Sequence, residues 1–178
     1  MLLKSEQISF IIGWYFKLFQ YLIGMYYGQT GVDYYAEVHT SFWNSCIHTI
    51  FMPFTMLGFY IMVPAIIDCN LEEAMKLRRL VIIFYLGLHC NISMITGILI
   101  YGYYYPIYIY SNHLYKINMH KGKKYLLKMG LIISIVSLLI QEIIGHYIGN
   151  DDRSRIEAIP NAIFYAQYYS VAHLLRHK

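Results

Sequence analysis

The stretch Ile47-His-Thr-Ile-Phe-Met-Pro-Phe-Thr-Met-Leu-Gly-Phe-Tyr-Ile-Met-Val-Pro-Ala-Ile-Ile67 decides the fold class. It contains no Asp, Glu, Lys or Arg over a length that matches the ~20 apolar residues a helix needs to cross a bilayer. Pro53 and Pro64 fall inside it. A proline would break a solvated helix, but neighbouring groups in a packed membrane bundle can satisfy the carbonyls it frees. A second run, Met129 to Gly149, is apolar apart from Gln141, Glu142 and His146.

Working outward, Leu80 to Tyr110 is apolar throughout, too long for one ordinary span and short for two, and reads as a tight helical hairpin. Ile8 to Tyr27 is a first helical segment interrupted by Lys17 and Gln20, either a poor span or an interfacial helix. It lacks a small-residue cleavage site, so no cleaved signal peptide is expected. Pro160 to Leu175 forms a final segment, with proline suited to a first helical turn. Between these runs lie a polar aromatic connector (Gly28 to Asn44), a charged loop (Asp68 to Arg79), a basic loop (Ser111 to Lys128) and a polar turn (Asn150 to Ile159). The expectation is an all-α fold: a polytopic membrane helix bundle with four to six apolar helical segments, in a single domain over residues 1–178.

Composition agrees. The chain is 58% hydrophobic and only 13% charged, against about 25% charge in an ordinary soluble protein. Cys46, Cys69 and Cys90 form no CxxC pair and read as small core residues. The net charge of +4 is small; it points to topology rather than to nucleic acid, which is not an expected partner. If the hairpin enters and returns, one side collects Lys4, Lys76, Arg78, Arg79, Lys116, Lys121, Lys123, Lys124, Lys128, Arg176 and Lys178. The other keeps Arg153 and Arg155. Cytoplasmic loops are enriched in Lys and Arg, so both termini are expected in the cytoplasm.

The candidate chemistry then gathers near the opposite face. Asn44 and His48 are four apart, on one helix face, and His39 precedes them; Glu142 and His146 repeat the spacing. A carboxylate at the centre of a membrane helix costs roughly 2.5–3.5 kcal/mol on insertion scales, so Glu142 is expected to face the interior and to have a partner. Neutral imidazole is a common metal ligand whose second nitrogen needs an acceptor. Any one of these histidines alone reads as a hydrogen-bonded core residue, but two polar pairs converging on one face are harder to explain so. His89 and His173 are possible fourth ligands; His113, His120 and His177 read as surface residues. Zincin, nucleophile-elbow and phosphate-loop motifs are absent, leaving metal binding by histidine or no catalysis at all.

Tyr35-Ala-Glu-Val-His39, with Asn44-Ser-Cys-Ile-His48 and Pro53 following, resembles the opening motif of a family of small multi-pass membrane proteins. Gln141-Glu-Ile-Ile-Gly145-His146 resembles its second motif. The fungal member of that family is the endoplasmic-reticulum 2-hydroxy fatty acid dioxygenase of phytosphingosine degradation. The resemblance implies iron(II)-dependent alpha-oxidation, in which a 2-hydroxy fatty acid and molecular oxygen give a fatty acid one carbon shorter. It assigns the metal to His39, His48 and His146, with Asn44 and Glu142 in support, and the chain to the endoplasmic reticulum membrane. Two departures stand out: Glu142 occupies a position where the family usually has Gln, and the turn after His146 is Asn150-Asp-Asp-Arg-Ser-Arg. These keep a non-catalytic scaffold or lipid-binding protein as the alternative. Haem held by a histidine pair and zinc in place of iron are further possibilities.

Overall fold

The computed structural model describes residues 5–27, 39–151 and 159–176. Among these the chain is entirely helical, with six helices: α1 Ser5–Tyr27, α2 Phe42–Ile66, α3 Leu71–Cys90, α4 Met94–Asn118, α5 Lys123–Gly149 and α6 Ile159–Arg176. Two of them, α2 and α5, are long and apolar enough to cross a membrane. The expected hairpin is present, turning at residues 91–93 between α3 and α4.

Its arms are longer than the sequence suggested. The charged stretch after Asp68 is helical from Leu71, because Asn70 accepts from the Glu73 N–H and Glu73 returns an acceptor to the Asn70 N–H, each at 3.0 Å. This reciprocal cap satisfies two donors that a helix start otherwise leaves open. The basic stretch is not a loop either. α4 runs to Asn118, a short 3-10 turn covers Met119–Lys121, and Gly122, at φ 84°, redirects the chain into α5.

α2 is the central helix, touching α3, α4, α5 and α6. Its two prolines leave the carbonyls of Thr49 and Tyr60 without their helical donors. Other helices supply replacements: the Tyr103 hydroxyl donates to Thr49 O at 3.0 Å, and Arg78 Nε donates to Tyr60 O. The longest contact is with α5, where small residues bring the backbones together. A Cβ added to Gly58 would stand 2.5 Å from the Gly130 carbonyl, and one added to Gly130 would stand 2.6 Å from that of Gly58. Beside this crossing Ser134 Oγ donates to Thr55 O, and Thr55 Oγ1 bonds to Ser137 Oγ at 2.9 Å. Small residues and interhelical hydroxyls are how helices associate when solvent supplies no hydrophobic drive.

The outer faces are apolar. On α5, Leu131, Ile132, Ile135, Val136, Leu139 and Ile143 are exposed, and on α1 so are Ile11, Trp14, Leu18 and Leu22. α1 lies on α3, with Gly13 against the Gly87–Leu88 backbone and Lys17 Nζ donating to Asn91 O at 2.7 Å. The hairpin turn, the start of α2 and the end of α5 thus form one end of the bundle. Most of the lysines cluster at the other. Arg78 departs from the loop expected for it, being 1% exposed.

Candidate metal centre

Three elements bring three imidazoles together. His39 comes from the segment just before α2, His48 from the second turn of α2, and His146 from α5. All three are buried, at 2%, 1% and 4% exposure. Their ring centroids are separated by 4.8 Å (His39–His48), 4.8 Å (His39–His146) and 5.9 Å (His48–His146), and each offers a ring nitrogen within 4.8 Å of the others. Histidines bind a metal at about 2.0–2.1 Å, so ligands to one ion stand no more than roughly 4 Å apart. A contraction of about 1–2 Å would bring three such nitrogens onto one ion.

His48 carries the strongest sign that a ligand belongs here. Both its ring nitrogens are buried, and neither makes a hydrogen bond. The Gln141 carboxamide lies near the ring, and its amide donates to Thr55 Oγ1 (2.9 Å) and to the Ser137 carbonyl (3.1 Å). Leaving a buried polar atom unsatisfied costs about 1–3 kcal/mol. A metal ion would engage one of these nitrogens, so the donor set fits a metal.

The local fold of α5 places His146. After Leu139 the helix widens into a π turn over Ile140–Gly145, which is an uncommon geometry. There Gln141 is buried on the α2 side, while Glu142 sits half-exposed at the rim, its Oε2 3.7 Å from His146 Nε2. The interior position expected for Glu142 is taken by Gln141. Gly145 and Gly149 let α5 close on the start of α2: a Cβ on Gly145 would meet Asn44 Oδ1 at 2.7 Å, and one on Gly149 would meet Asn44 Cβ at 2.8 Å.

Asn44 supports the site through a residue that sequence reasoning passed over. α5 ends with Asn150 in the left-handed region at φ 53°, and the next residue, Asp151, turns back onto α2. Its carboxylate accepts from Asn44 Nδ2 (2.8 Å), Thr40 Oγ1 (2.7 Å), Thr40 N (3.3 Å) and Ser41 N (3.1 Å). Ser41 itself makes no side-chain cap, so Asp151 caps α2 from just beyond the end of α5 and fixes the backbone next to His39. The signal was visible as an acidic pair directly after the α5 run, but nothing in the spacing tied it to residues 40–44.

Burial pushes the Asp151 pKa up, but the bonds from Thr40, Asn44 and Ser41 outweigh it and hold the carboxyl below its usual range. A carboxyl depressed by folding contributes stability that is present above its unfolded pKa of about 3.9 and is lost as pH falls through the folded value. Asp151→Asn is therefore expected to cost about 1 kcal/mol at neutral pH, as losing a helix cap does. The gap from wild type should close as pH falls below 4, which unfolding melts at several pH values will show.

The remaining histidines stay outside the cluster. His89 is buried but donates from Nε2 to Phe164 O at 2.9 Å and packs near Tyr85 and Tyr168. His173, a possible fourth ligand from sequence, is not one of the three that converge. Instead its Nδ1 is hydrogen-bonded to Ser45 Oγ at 2.6 Å, three residues from His48. The reason is that α6 lies obliquely: Ile163 and Phe164 meet Tyr85 and His89 near the hairpin end, and His173 remains near that end too. His113 and His120 are exposed, and His177 is outside the described residues, as are Tyr35 and Glu37.

A cavity of about 700 Å³ adjoins the centre. It is walled by α2, α3, α5 and α6, with His48, Gln141 and Glu142 at one end, Met52, Met56 and Leu138 along its length, and Tyr60 and Arg78 at the other. Its size suits a lipid-like ligand, since pockets for small molecules run to about 300–1,000 Å³. Phe59, Val63, Leu138 and Ile163 are exposed at its mouth, which opens sideways between helices. No protein-family model, curated protein or solved structure matches the chain.

Proposed function

We propose that the chain is a membrane-embedded, non-haem iron(II) dioxygenase that performs alpha-oxidation of 2-hydroxy fatty acids, releasing a fatty acid one carbon shorter. The observation that carries this reading is the meeting of three buried histidines with the end of a long apolar cavity. His39, His48 and His146 would hold the metal. Iron(II) held by neutral nitrogen ligands with open positions supplies a place for dioxygen and for a chelating hydroxy-carboxylate. Overall, the hydroxy acid and dioxygen give the shortened acid, carbon dioxide and water.

The protein's own groups bind, orient and exclude water. The cavity between α2, α3, α5 and α6 takes the acyl chain, leaving the hydroxy-carboxylate head at the histidines. Gln141, tied to Thr55 and Ser137, keeps the His48 side of the site in place. Glu142 sets a carboxylate beside His146 at the cavity rim. The lateral mouth and the exposed apolar faces of α1, α2 and α5 support a bilayer as the surroundings, with substrate arriving from the lipid phase. The lysine-rich end would face the cytoplasm, as positively charged loops do, with the endoplasmic reticulum as the membrane; α6 ends at Arg176, close to the His173–Ser45 bond at the histidine end, so Arg176 falls on the side opposite to the one the charge count assigned it.

The decisive assay supplies purified protein with a 2-hydroxy fatty acid, iron(II) and oxygen. Accumulation of the chain-shortened acid with matching carbon dioxide is expected. If substrate is left intact under these conditions while iron is bound, the dioxygenase reading fails.

A further inference from the structure

The cavity has a small neighbour whose polar groups the proposed oxidation does not use. A pocket of about 20 Å³ adjoins it between α2, α3, α4 and α6. Met56, Tyr60, Tyr85 and Gln167 stand on the walls of both spaces. Gln167 is buried, at 4% exposure, and its carboxamide makes no hydrogen bond among the described residues. Neither of its amide atoms is sealed off as the ring nitrogens of His48 are, so the surface that the carboxamide keeps faces these two spaces. The Tyr60 hydroxyl, on a side chain also 4% exposed, is in the same position. Tyr85 is not, because its hydroxyl donates to the Ile163 carbonyl at 2.9 Å. A carboxamide has two donor hydrogens and two acceptor lone pairs, and in Gln167 all of them are open on an otherwise apolar wall.

We infer that Gln167, with Tyr60, recognises a hydroxyl carried far along the chain of the bound fatty acid. The inference rests on the proposed reading in one respect, the placing of an acyl chain in the cavity with its head at the histidines. A space needs at least about 10–15 Å³ to admit one water, so the side pocket takes an oxygen-sized substituent and no longer branch. A hydroxyl both donates and accepts, which suits an amide oxygen together with a phenol O–H; a ketone only accepts and would leave the amide oxygen open. Position along the chain follows from α2. Met56 and Tyr60 lie roughly 12 and 18 Å beyond His48 at the helical rise. An extended chain with C–C bonds of ~1.5 Å advances about 1.3 Å per carbon, so the pocket lies about 9 to 14 carbons from the head. A chain hydroxylated there fills the open positions of Gln167, whereas a plain chain leaves them unmet. The favoured ligand is therefore an acid with one hydroxyl at C2 and a second near the middle of a long chain.

Equilibrium binding to the full chain in lipid nanodiscs, loaded with iron(II) and kept free of oxygen, tests this without turnover. The probes are 2-hydroxyoctadecanoic acid, 2,12-dihydroxyoctadecanoic acid and the 2,6-dihydroxy isomer. The 2,12 acid is expected to bind about three- to tenfold more tightly than the monohydroxy acid, the return for one or two hydrogen bonds formed away from water. The 2,6 isomer places its second hydroxyl short of the pocket and should show no such gain. Gln167→Leu keeps the volume and removes the amide, so the preference for the 2,12 acid should vanish while the monohydroxy acid binds as before. If that variant fails to fold, Tyr60→Phe, which deletes only a hydroxyl, should reduce the preference instead. Equal binding of the 2,12 and monohydroxy acids to the wild-type chain, an equal gain from the 2,6 isomer, or a preference that survives the folded variant overturns the proposal. Binding of none of the three acids overturns it together with the placing of an acyl chain in the cavity.

Discussion

His48→Leu will abolish metal binding and turnover while making the metal-free protein more stable. The two effects have one origin. In the metal-free chain both imidazole nitrogens of His48 are buried without hydrogen bonds, a burden of about 1–3 kcal/mol. Leucine fills a similar volume and removes that burden, so stability should rise by about 1–2 kcal/mol, equivalent to roughly 2–8 °C in Tm for a chain of this size. Metal affinity should fall by more than about 100-fold, beyond the 10–100-fold typical of losing a mere supporting partner. Thermal melts of metal-free protein and metal titrations of both variants check the pair of outcomes. Lost stability with metal affinity intact would make His48 an ordinary core residue. Function held at the expense of stability is expected of sites that keep polar groups waiting for a ligand.

The second large effect lies at the α2–α5 crossing. Gly58→Ala adds one methyl group, which would meet the Gly130 carbonyl at 2.5 Å and the Ser134 N at 2.8 Å as well as the Ser134 hydroxyl. These are mostly backbone atoms, so a rotamer change cannot relieve the clash. Overpacking costs about 1–3 kcal/mol where side chains can yield, and the upper end of that range or beyond is expected here. The variant should also lose metal, because the same crossing sets His146 against His48. Gly102→Ala, on α4, makes the same chemical change with nothing within 4 Å of the new methyl. It should raise stability by about 0.5–1 kcal/mol through helix propensity. Opposite signs from one substitution type would place the effect in packing rather than in backbone entropy.

How much of this was legible from sequence depended on whether a feature is local or tertiary. The helical class, the α2 and α5 runs and the hairpin followed from apolar length alone. The extents of α3 and α4 did not, because charged residues near helix ends look like loop. Asn70 and Glu73, three apart, were the readable cue for the true start of α3. The histidine cluster could be anticipated from the four-residue spacing of Asn44 with His48 and of Glu142 with His146. That spacing was half misleading, since the π turn at Ile140–Gly145 puts Gln141 inside and leaves Glu142 at the rim. Asp151 and Arg78 were illegible for one reason: each lies in a polar stretch that reads as solvated, and only the tertiary fold brings it to the α2 start or the cavity wall. Pro64 is the one local cue to Arg78, since the carbonyl it frees at Tyr60 demands a buried donor, but no local pattern names which.

The central claim is that His39, His48 and His146 form a single metal centre. Elemental analysis of the purified protein after anaerobic loading with iron(II) and removal of excess tests it most directly, on the wild-type chain and on a variant with all three histidines changed to alanine. One iron per wild-type chain, and none in the variant with its helical content intact, is the predicted result. Wild-type protein that retains no metal, or a folded triple variant that retains as much as wild type, would contradict it.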